Sequence, residues 1–487
     1  MGQVITLPVC PPRQVLRDYQ SKAIEELRAL IRRGQRRLLL VAPTGSGKTT
    51  VAAAMIEGAV ARGKRIIFLA HRSELIDQCS ARLTGLGVEH GIIMANHPHR
   101  RQWLRTHVAS VQTLVNREVP APDLLFIDEC HRAQSDSYRK LVARWPAAVV
   151  IGLTATPVRT DGRGLGGDLF GAMVQCPDVA ALTEMGYLVP STLYGPDPPK
   201  ALKAVRKLAG DYNQGQLAEV MDQRQVTGDI VGFWLKHGAG VKTVCFAVSI
   251  EHSRHLVDQF RASGVAAEHV DGNSDPQERA AILRRWASGQ TTIVSNVGIV
   301  TEGFDLPAIE CVIIARPTMS LSLYLQMAGR GLRPAPGKIR CLIFDHGGCW
   351  ARHGLPDDPR EWELTDSRKV LKRQTADDLL AGVKVCPKCA KVSRAQVMVC
   401  PCGYRFSVRK AALPKTAEGD LIERDSALRK MRARQVPEAA RKARFLQWHQ
   451  AIRHKQAIIH KGKYVNQIYR SMFGEEPPVE WQMEVSL

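Results

Sequence analysis

The chain has 487 residues, of which 45% are hydrophobic, enough for two to four domains of roughly 100–200 residues each. Its 68 Lys and Arg residues outnumber its 47 Asp and Glu residues, and the resulting net charge of +21 indicates a polyanionic partner such as nucleic acid. No run approaches the roughly 18–20 apolar residues of a membrane span, and the N-terminal segment lacks the features of a secretory signal. We therefore expect a cytoplasmic protein with no membrane partner.

Short apolar runs alternate with helical patterns in two parts of the chain. In the first part the runs cover 38–42, 66–70, 124–127 and 149–153; in the second they cover 243–248, 292–295, 311–315 and 342–344. Continuous apolar runs between amphipathic segments are typical of parallel strands that are buried on both faces. The sequence therefore predicts an α/β protein with two parallel-sheet domains in tandem.

Changes in composition suggest where these domains begin and end. We expect a first domain over residues 1–190, a joining region over 191–224 and a second domain over 225–350. A polar connector (351–384), a cysteine-containing module (385–408) and a basic helical C-terminal region (409–487) follow. Beyond the doubled α/β pattern there is no internal repeat.

The first strand leads into a phosphate-binding loop. Its sequence, Ala42-Pro-Thr-Gly-Ser-Gly-Lys-Thr49, is a Walker A motif with alanine in place of the first glycine, and a helical run follows. Glycines let the backbone N–H groups turn toward phosphate oxygens, and the helix N-terminus adds its positive dipole end. We expect Lys48 to reach the β- and γ-phosphates of ATP and Thr49 to bind Mg²⁺. The other expected nucleotide contacts of this loop are Thr44, Gly45, Ser46, Gly47 and Thr50.

An acidic pair follows the third predicted strand. Leu124-Leu-Phe-Ile127 ends in Asp128-Glu129-Cys130-His131. Carboxylates at the C-terminal end of a buried parallel strand lie where ligands bind in such folds. We expect Asp128 to hold Mg²⁺ and Glu129 to orient and deprotonate the attacking water.

Four of the twelve cysteines cluster near the C-terminal third of the chain. Cys386 and Cys389 form a CxxC pair, whereas Cys400 and Cys402 form a CxC pair that is one residue shorter. Thiolates on two short knuckles suit tetrahedral Zn²⁺, and four filled positions indicate a structural ion. The alternative is a cluster that holds no metal.

The C-terminal region combines basic clusters with aromatic residues. Arg429–Arg434, Arg441–Arg444 and Arg453–Lys455 have helical spacing, and Phe445, Trp448, Tyr464 and Tyr469 lie among them. Phosphate neutralisation with base stacking is one interpretation. The other is that the aromatic residues form the core of a small helical domain.

The order of these motifs resembles that of the superfamily 2 DEAD/DEAH-box helicases over about residues 15–345. Asp128-Glu129-Cys130-His131 is similar to motif II, and Leu153-Thr-Ala-Thr-Pro157 to motif III. The resemblance implies two RecA-like domains followed by a zinc-ribbon-like module. It also implies that Thr154 and Thr156 couple the state of the nucleotide to strand binding.

Other segments of the first domain resemble further helicase motifs. Leu16-Arg-Asp-Tyr-Gln20 is similar to the adenine-recognition motif, which implies that Gln20 contacts the base edge and that Arg17 stacks on the base. The segments beginning at Leu69 and Ala109 resemble motifs Ia and Ib. They imply contacts to the strand backbone by Arg72, Ser110, Gln112 and Thr113.

The second predicted domain contains segments that resemble motifs IV, V and VI. In the motif V-like segment Ser295–Asp305, the resemblance implies that Thr301 contacts nucleic acid and that Gly303 and Asp305 lie at the nucleotide. In the motif VI-like segment Gln326–Arg333 it implies a coupling role for Gln326. Arg330 and Arg333 would reach the γ-phosphate from the facing domain, where a guanidinium stabilises the charge of phosphoryl transfer.

Within the superfamily, the chain looks most like the RadD-type and phage helicases. The 301–305 segment, the approach from Arg316 to Gln326 and the cysteine cluster after the core carry this finer resemblance. It implies an ATP-dependent DNA helicase or translocase in replication, repair or recombination, with DNA favoured as the nucleic acid. Candidate protein partners are single-strand-binding, replication or recombination proteins. The alternatives are an RNA-remodelling ATPase, the motor subunit of a restriction system, and a nucleic-acid-binding adaptor with a vestigial ATPase.

Overall fold

The computed structural model divides the chain into two compact units, Met1–Ser407 and Val408–Leu487. It describes residues 15–95, 97, 101, 103–132, 136–158, 164–167, 169–195, 200–208, 210–299, 309–364, 383–406, 438–453, 465–466, 469–470, 473 and 475–484. Among these residues, no helix is both long enough and apolar enough to cross a membrane.

The first sheet of unit 1 has seven strands, all paired in parallel in the order β3-β4-β2-β5-β6-β1-β7. Its strands are β1 Arg37–Val41, β2 Ile66–Ala70, β3 Gly91–Ile93, β4 Thr106–Ser110, β5 Leu124–Ile127, β6 Val149–Thr154 and β7 Ala172–Gln175. The helices of this domain are α1 Asp18–Arg32, α2 Lys48–Val60, α3 Ser73–Gly85, α4 Val111–Leu114, α5 Asp136–Arg144 and α6 Val179–Glu184.

The second sheet has six parallel strands in the order β12-β13-β11-β14-β15-β8. Its strands are β8 Ser191–Tyr194, β11 Thr243–Phe246, β12 Ala267–Val270, β13 Ile293–Asn296, β14 Cys311–Ile314 and β15 Cys341–Asp345, and the hairpin β9 Lys207–Leu208 and β10 Asp211–Tyr212 lies outside it. The helices are α7 Gln214–Met221, α8 Arg224–His237, α9 Ile250–Ala262, α10 Pro276–Ser288, α11 Leu321–Arg330 and α12 Cys349–His353.

Both sheets bury apolar side chains on each face, as continuous apolar runs require. The strands β2, β6, β11, β14 and β15 are buried along their whole length. Polar residues fix where several helices begin: Ser249, Asp275 and Ser320 each accept a hydrogen bond from a backbone N–H in the first turn of α9, α10 and α11. The predicted pair of tandem parallel-sheet domains is thus confirmed.

Two segments differ in detail from the predicted organisation. The strand β8, which begins the range expected to join the domains, pairs with β15 and forms the edge of the second sheet. Within the expected connector, residues 355–364 return to the first domain, where Trp362 and Leu364 pack against its core and the Gly166 N–H donates to the Leu364 carbonyl over 2.8 Å. We call residues 355–364 the return segment.

The cysteine-containing module is built on a two-stranded antiparallel sheet, β16 Val383–Val385 and β17 Val392–Arg394. It attaches to the second sheet through a bridge between Tyr194 and Lys391, and the Gly195 N–H donates to the Ala390 carbonyl over 3.0 Å. Arg394 forms ion pairs with Asp357 at 3.4 Å and Asp358 at 3.1 Å, which tie the module to the return segment.

Unit 2 is helical where the structure describes it, with α13 Glu438–Arg453 and α14 Val479–Glu484. Phe445 and Tyr469 are fully buried in a small core that also contains Val465, Phe473 and Trp481. Of the two interpretations of the C-terminal aromatic residues, the structure therefore favours core packing for Phe445 and Tyr469. Tyr464 and the basic cluster Arg429–Arg434 lie outside the described residues.

Candidate active site and strand-binding surface

The phosphate-binding loop connects β1 to α2. Gly45 and Gly47 both have φ of +88°, a left-handed conformation that glycine adopts without strain. The helix α2 begins at Lys48, directly after Gly47, so its unpaired N–H groups point into the loop. A Cβ on Gly47 would lie 2.5 Å from the amide nitrogen of Gln20. The loop thus has the backbone form that binds phosphate groups.

The first turn of α1 and the Arg17 that precedes it contact this loop or its surroundings. The side chains of Tyr19 and Gln20 both donate hydrogen bonds to the Ser46 carbonyl, at 2.5 and 2.9 Å, and Gln20 also accepts from the Arg17 N–H at 3.0 Å. The Arg17 guanidinium lies 4.5 Å from the ring centroid of Tyr187. In this structure, then, the predicted adenine-binding residues contact the phosphate loop and a neighbouring aromatic ring.

The acidic pair follows β5, next to the phosphate loop across the sheet. Asp128 and Glu129 are both buried, and Glu129 has φ of +46°, a strained value for a residue other than glycine. The Glu129 carboxylate lies 4.0 Å from Lys48 Nζ and 3.4 Å from His131 Nδ1. Strain and paired charges at one buried position are typical of a functional site.

The protonation of Glu129 is set by two opposing effects. Burial alone would raise the pKa of this carboxyl, but the positive charge of Lys48 and the hydrogen bond with His131 lower its pKa to about 2. Arg330, from the facing domain, contributes in the same direction. Glu129 is therefore ionised throughout the neutral pH range, as a group that accepts a proton from water must be.

The second domain reaches this site through α11. Gln326 and Arg330 are buried, and the Gln326 amide donates toward Glu129 over 3.5 Å. The Arg333 side chain passes over Gly45, since a Cβ on that glycine would lie 3.2 Å from Arg333 Cγ. A Cβ on Gly329 would lie only 2.6 Å from Thr44 Cβ, so a glycine is needed for α11 to approach the phosphate loop this closely. The two domains therefore complete one site.

A direct hydrogen bond joins the domains beside this site. The fully buried Thr156 hydroxyl donates to Ser322 Oγ over 2.7 Å. Thr154, also fully buried, is hydrogen-bonded to the Thr156 backbone and lies 3.5 Å from His131 Nδ1. A chain of polar contacts thus runs from Glu129 to the second domain. Ser322 and His131 take part in these polar contacts and were not among the predicted site residues. Both lie inside the segments that carried the family resemblance.

Replacing Ser322 with alanine tests this link. A hydrogen bond of this kind contributes on the order of 1 kcal/mol, so we expect turnover of ATP that depends on domain closure to fall by about five-fold, with ATP affinity unchanged. Steady-state ATPase assays with and without nucleic acid measure both quantities. Ser263→Ala, an exposed position in the same domain, is the matched control. Equal turnover in the Ser322 and Ser263 variants would rule out a coupling role.

The predicted strand-contact residues lie together where β2 and β4 end. Ser110 donates to Gln112 over 2.6 Å, Gln112 donates to the His71 carbonyl over 3.2 Å, and Thr113 accepts from the Ala95 N–H over 3.2 Å. Arg72 donates to the Gly298 carbonyl of the second domain over 2.6 Å. These contacts bring the two segments into one surface that borders the second domain at Gly298. We call this predicted site the strand-contact surface. Thr301, Gly303 and Asp305 lie outside the described residues.

The four clustered cysteines have the geometry of a metal site. Their sulfur atoms all lie within 4.8 Å of one another, with 3.5 Å between Cys386 and Cys402 and 3.6 Å between Cys389 and Cys400. A tetrahedral zinc ion with Zn–S bonds of about 2.3 Å places its sulfur ligands about 3.8 Å apart. The sulfur set therefore fits Zn²⁺ even though the second knuckle is short.

Metal analysis of the purified chain tests this assignment. We expect about one zinc ion per chain, held by four thiolates, and loss of that zinc in Cys402→Ser together with a lower Tm. Elemental analysis and thermal unfolding measure the two effects. Cys79→Ala, which removes a buried thiol of the first domain, should keep the zinc. Wild-type protein without zinc after expression in zinc-supplemented medium would contradict the prediction.

Comparison with known proteins places the chain among nucleic-acid motors. Residues 13–159 match the family described as "Type III restriction enzyme, res subunit", and residues 222–335 match the "Helicase conserved C-terminal domain". A 51.5 kDa protein of a Lactococcus phage is 30% identical over 390 residues, which are 80% of this chain and 82% of the phage protein.

Two further relatives agree with this placement. IRC3 of Saccharomyces cerevisiae, assigned as an ATP-dependent helicase, is 30% identical over 361 residues, 70% of this chain but only 52% of the yeast protein. A fragment assigned to the HsdR subunit of a Vibrio vulnificus type I restriction enzyme has a TM-score of 0.54 and 25% identity over 72% of this chain and 67% of the fragment. The chain belongs to the superfamily 2 helicases, whose members are nucleic-acid-dependent ATPases, and its fold is the tandem RecA-like arrangement of that class.

Proposed function

We propose that this protein is an ATP-dependent DNA helicase or translocase that moves on or remodels DNA. The observation that carries the proposal is the closed site, in which the phosphate loop, Glu129 and α11 of the second domain meet beside a strand-contact surface. DNA is favoured for two reasons. Gln326 occupies the position where DEAD-box RNA helicases usually have histidine, and a structural relative is assigned to a restriction enzyme, a class of enzyme that acts on DNA.

The proposed roles follow the geometry of the site. Lys48 and the loop residues 44–50 bind the phosphates of ATP, and Gln20 and Arg17 hold the loop and the base. Thr49 and Asp128 are the residues that would hold Mg²⁺, which neutralises phosphate charge when bound. Both are polar side chains beside the loop, and Asp128 is a buried carboxylate of the kind that Mg²⁺ prefers.

Hydrolysis depends on the chain's own charged groups. Glu129 is ionised and buried, so it can orient a water molecule toward the γ-phosphate and accept its proton. Arg330 and Arg333 supply positive charge from the second domain, where a guanidinium stabilises the transferring phosphoryl group. Because these arginines come from the facing domain, the site is complete only when the domains are closed.

Closure and strand binding are linked in this proposal. Arg72 bridges from the strand-contact surface to Gly298 of the second domain, and Thr156 bridges to Ser322. Turnover would break and re-form these contacts, and each cycle would shift the second domain along the strand. We propose that Ser110, Gln112, Thr113 and Thr301 contact the strand backbone, and that Gly303 and Asp305 lie at the nucleotide.

The test is steady-state ATP hydrolysis at fixed low salt without nucleic acid and with single-stranded DNA, duplex DNA, forked DNA or RNA. We expect at least one DNA form to stimulate turnover by more than about ten-fold. Stimulation by RNA alone would support the RNA-remodelling alternative. Tight nucleic-acid binding without turnover would support the adaptor with a vestigial ATPase.

A second candidate, the motor subunit of a restriction system, is favoured by one observation. Residues 13–159 match the restriction-enzyme family, and the structural relative from Vibrio vulnificus is assigned to a restriction subunit. Such a motor acts with separate nuclease activity. Copurification of a separate nuclease chain, with plasmid cleavage by that complex in ATP and Mg²⁺ but not by this chain alone, would support this candidate. Sustained ATP turnover on DNA without such a partner would favour an autonomous helicase or translocase.

A further inference from the structure

The edge of the first sheet that lies opposite the phosphate loop is strongly basic. The loops that lead into β1, β2, β4, β5 and β6 cover residues 32–37, 61–65, 101–105, 115–123 and 144–148. Together they contain eleven Lys and Arg residues and two acidic residues, Glu118 and Asp123. We call these five loops the basic edge.

The five loops form one continuous surface. Their strands are neighbours in the order β4-β2-β5-β6-β1, so at about 4.8 Å between strands the basic edge is about 19 Å wide. Hydrogen bonds connect adjacent loops: the side chain of Arg105 donates to the Gly63 carbonyl over 2.9 Å, and that of Arg36 to the Ala147 carbonyl over 3.0 Å. Arg144 likewise donates to the Arg117 carbonyl over 2.9 Å.

The positive charge of this surface is largely uncompensated. Its guanidinium groups bond mainly to backbone carbonyls, which orient them but carry no net negative charge. Among the residues that the structure describes there, Lys64 forms an ion pair with Asp123 at 3.2 Å. Trp103, in the loop before β4, is 79% exposed. An exposed indole among basic side chains is a combination that proteins use to hold nucleic acid.

The second sheet shows that such an edge is not a general property of this chain. The loops that precede its strands β11 to β15 cover residues 238–242, 263–266, 289–292, 309–310 and 334–340. They contain three basic residues and one acidic residue. The accumulation of positive charge is therefore particular to the first domain. Solvation alone does not require such a difference between the loops of the two sheets.

We propose that the basic edge is a second nucleic-acid-binding surface, which holds the phosphate backbone of a DNA segment outside the gap between the domains. Duplex DNA carries one charge per roughly 1.7 Å, so about 19 Å of duplex contains about eleven phosphates, and those on the facing side can contact a surface of this width. The strand-contact surface lies at the other end of the strands, where β2 and β4 end, so one DNA segment does not fill both. The inference that the bound polymer is DNA rests on the proposed function.

The experiment compares three variants of the full chain. Arg36→Gln, Arg62→Gln and Arg105→Gln together remove three exposed charges of the basic edge. Lys236→Gln, Arg254→Gln and Arg284→Gln together remove three exposed charges of the second domain and serve as the control for net charge. A third variant carries lysine at 36, 62 and 105, which keeps the charge and removes the guanidinium. Thermal unfolding verifies that each variant is folded.

Binding to a duplex of about 40 base pairs is measured over a range of salt concentrations without nucleotide. For the glutamine triple at the basic edge we expect about ten-fold weaker binding and a salt slope smaller by about one for each lost contact. The lysine triple should bind nearly as the wild type does, and the control triple should change the affinity far less. Binding of a single strand of about ten nucleotides, which fits the strand-contact surface, should be unaffected.

Three results would overturn the proposal. Equal loss in the basic-edge and control triples would mean that only net charge matters, and equal loss in the lysine and glutamine triples would mean that the guanidinium groups are structural. If the glutamine triple at the basic edge lost binding of polyglutamate but kept binding of the duplex, the basic edge would instead bind an acidic protein partner. Because these assays contain no ATP, loss of duplex binding supports the basic edge even if the proposed motor activity fails.

Discussion

Replacing Glu129 with glutamine is expected to lower ATP turnover by at least about 100-fold, because a general base contributes about 10²- to 10⁴-fold. Glutamine keeps the size of the side chain but cannot accept the proton of the attacking water. The phosphate contacts proposed for the loop and Lys48 remain. We therefore expect ATP affinity to be retained, and the closed complex with ATP and nucleic acid to persist for longer than that of the wild type.

Two measurements distinguish loss of the general base from misfolding of the variant. Nucleotide binding by fluorescence titration should match the wild type, and Glu251→Gln, an exposed position in the second domain, should turn over normally. The wild-type pH profile adds a second check. Because the pKa of Glu129 is lowered to about 2, its carboxylate should stay ionised as the pH falls to the usual range of glutamate. An activity loss centred near that usual pKa, and absent in the glutamine variant, would contradict the lowered pKa of Glu129.

Replacing Lys48 with alanine should lower ATP turnover at least as much as Glu129→Gln does. Unlike the Glu129 variant, it should also weaken ATP binding. Lys48 Nζ lies 3.3 Å from the Ala42 carbonyl and 4.0 Å from Glu129, at the mouth of the phosphate loop. In the proposed mechanism this charge contacts the transferring phosphate, and loss of one such group typically costs about 10²- to 10³-fold in rate. Both ATP affinity and turnover should therefore fall.

The Lys48 and Glu129 variants should differ in ATP binding, which only the Lys48 variant should lose. Lys48→Ala also removes the charge that lowers the pKa of the buried Glu129 most, so that pKa should rise from its low value. Lys236→Ala, an exposed lysine in the second domain, controls for the loss of one charge. Normal ATP binding by the Lys48 variant would show that the loop does not hold phosphate in the manner proposed.

The sequence was sufficient to predict the sheets and the loops that end their strands. Continuous apolar runs such as Ile66–Ala70 predicted strands that are buried on both faces, and the structure confirms them. The active-site loops were predictable because glycines at 45 and 47 and acids at 128 and 129 follow such runs directly. In a parallel sheet these strand ends meet at one edge, so local sequence determines which residues come together.

Contacts between domains could not be predicted in this way. The Thr156–Ser322 hydrogen bond joins residues 166 positions apart, and neither side chain has a pattern that marks its partner. The place of β8 at the edge of the second sheet depends on pairing with β15, which its short sequence does not specify. The basic edge has the same origin, since its charges are scattered along 117 residues and converge only through strand order.

The return segment has a mechanical consequence for the two domains. The chain passes from the first domain to the second near residues 185–190, and residues 355–364 bring it back to pack on the first domain through Trp362 and Leu364. A domain connected to its neighbour by two chain crossings twists less freely than a domain on a single tether. Its remaining freedom is rotation about the line between the two attachments. With rotation restricted to this axis, each ATP-driven closure would rotate the second domain in one fixed direction.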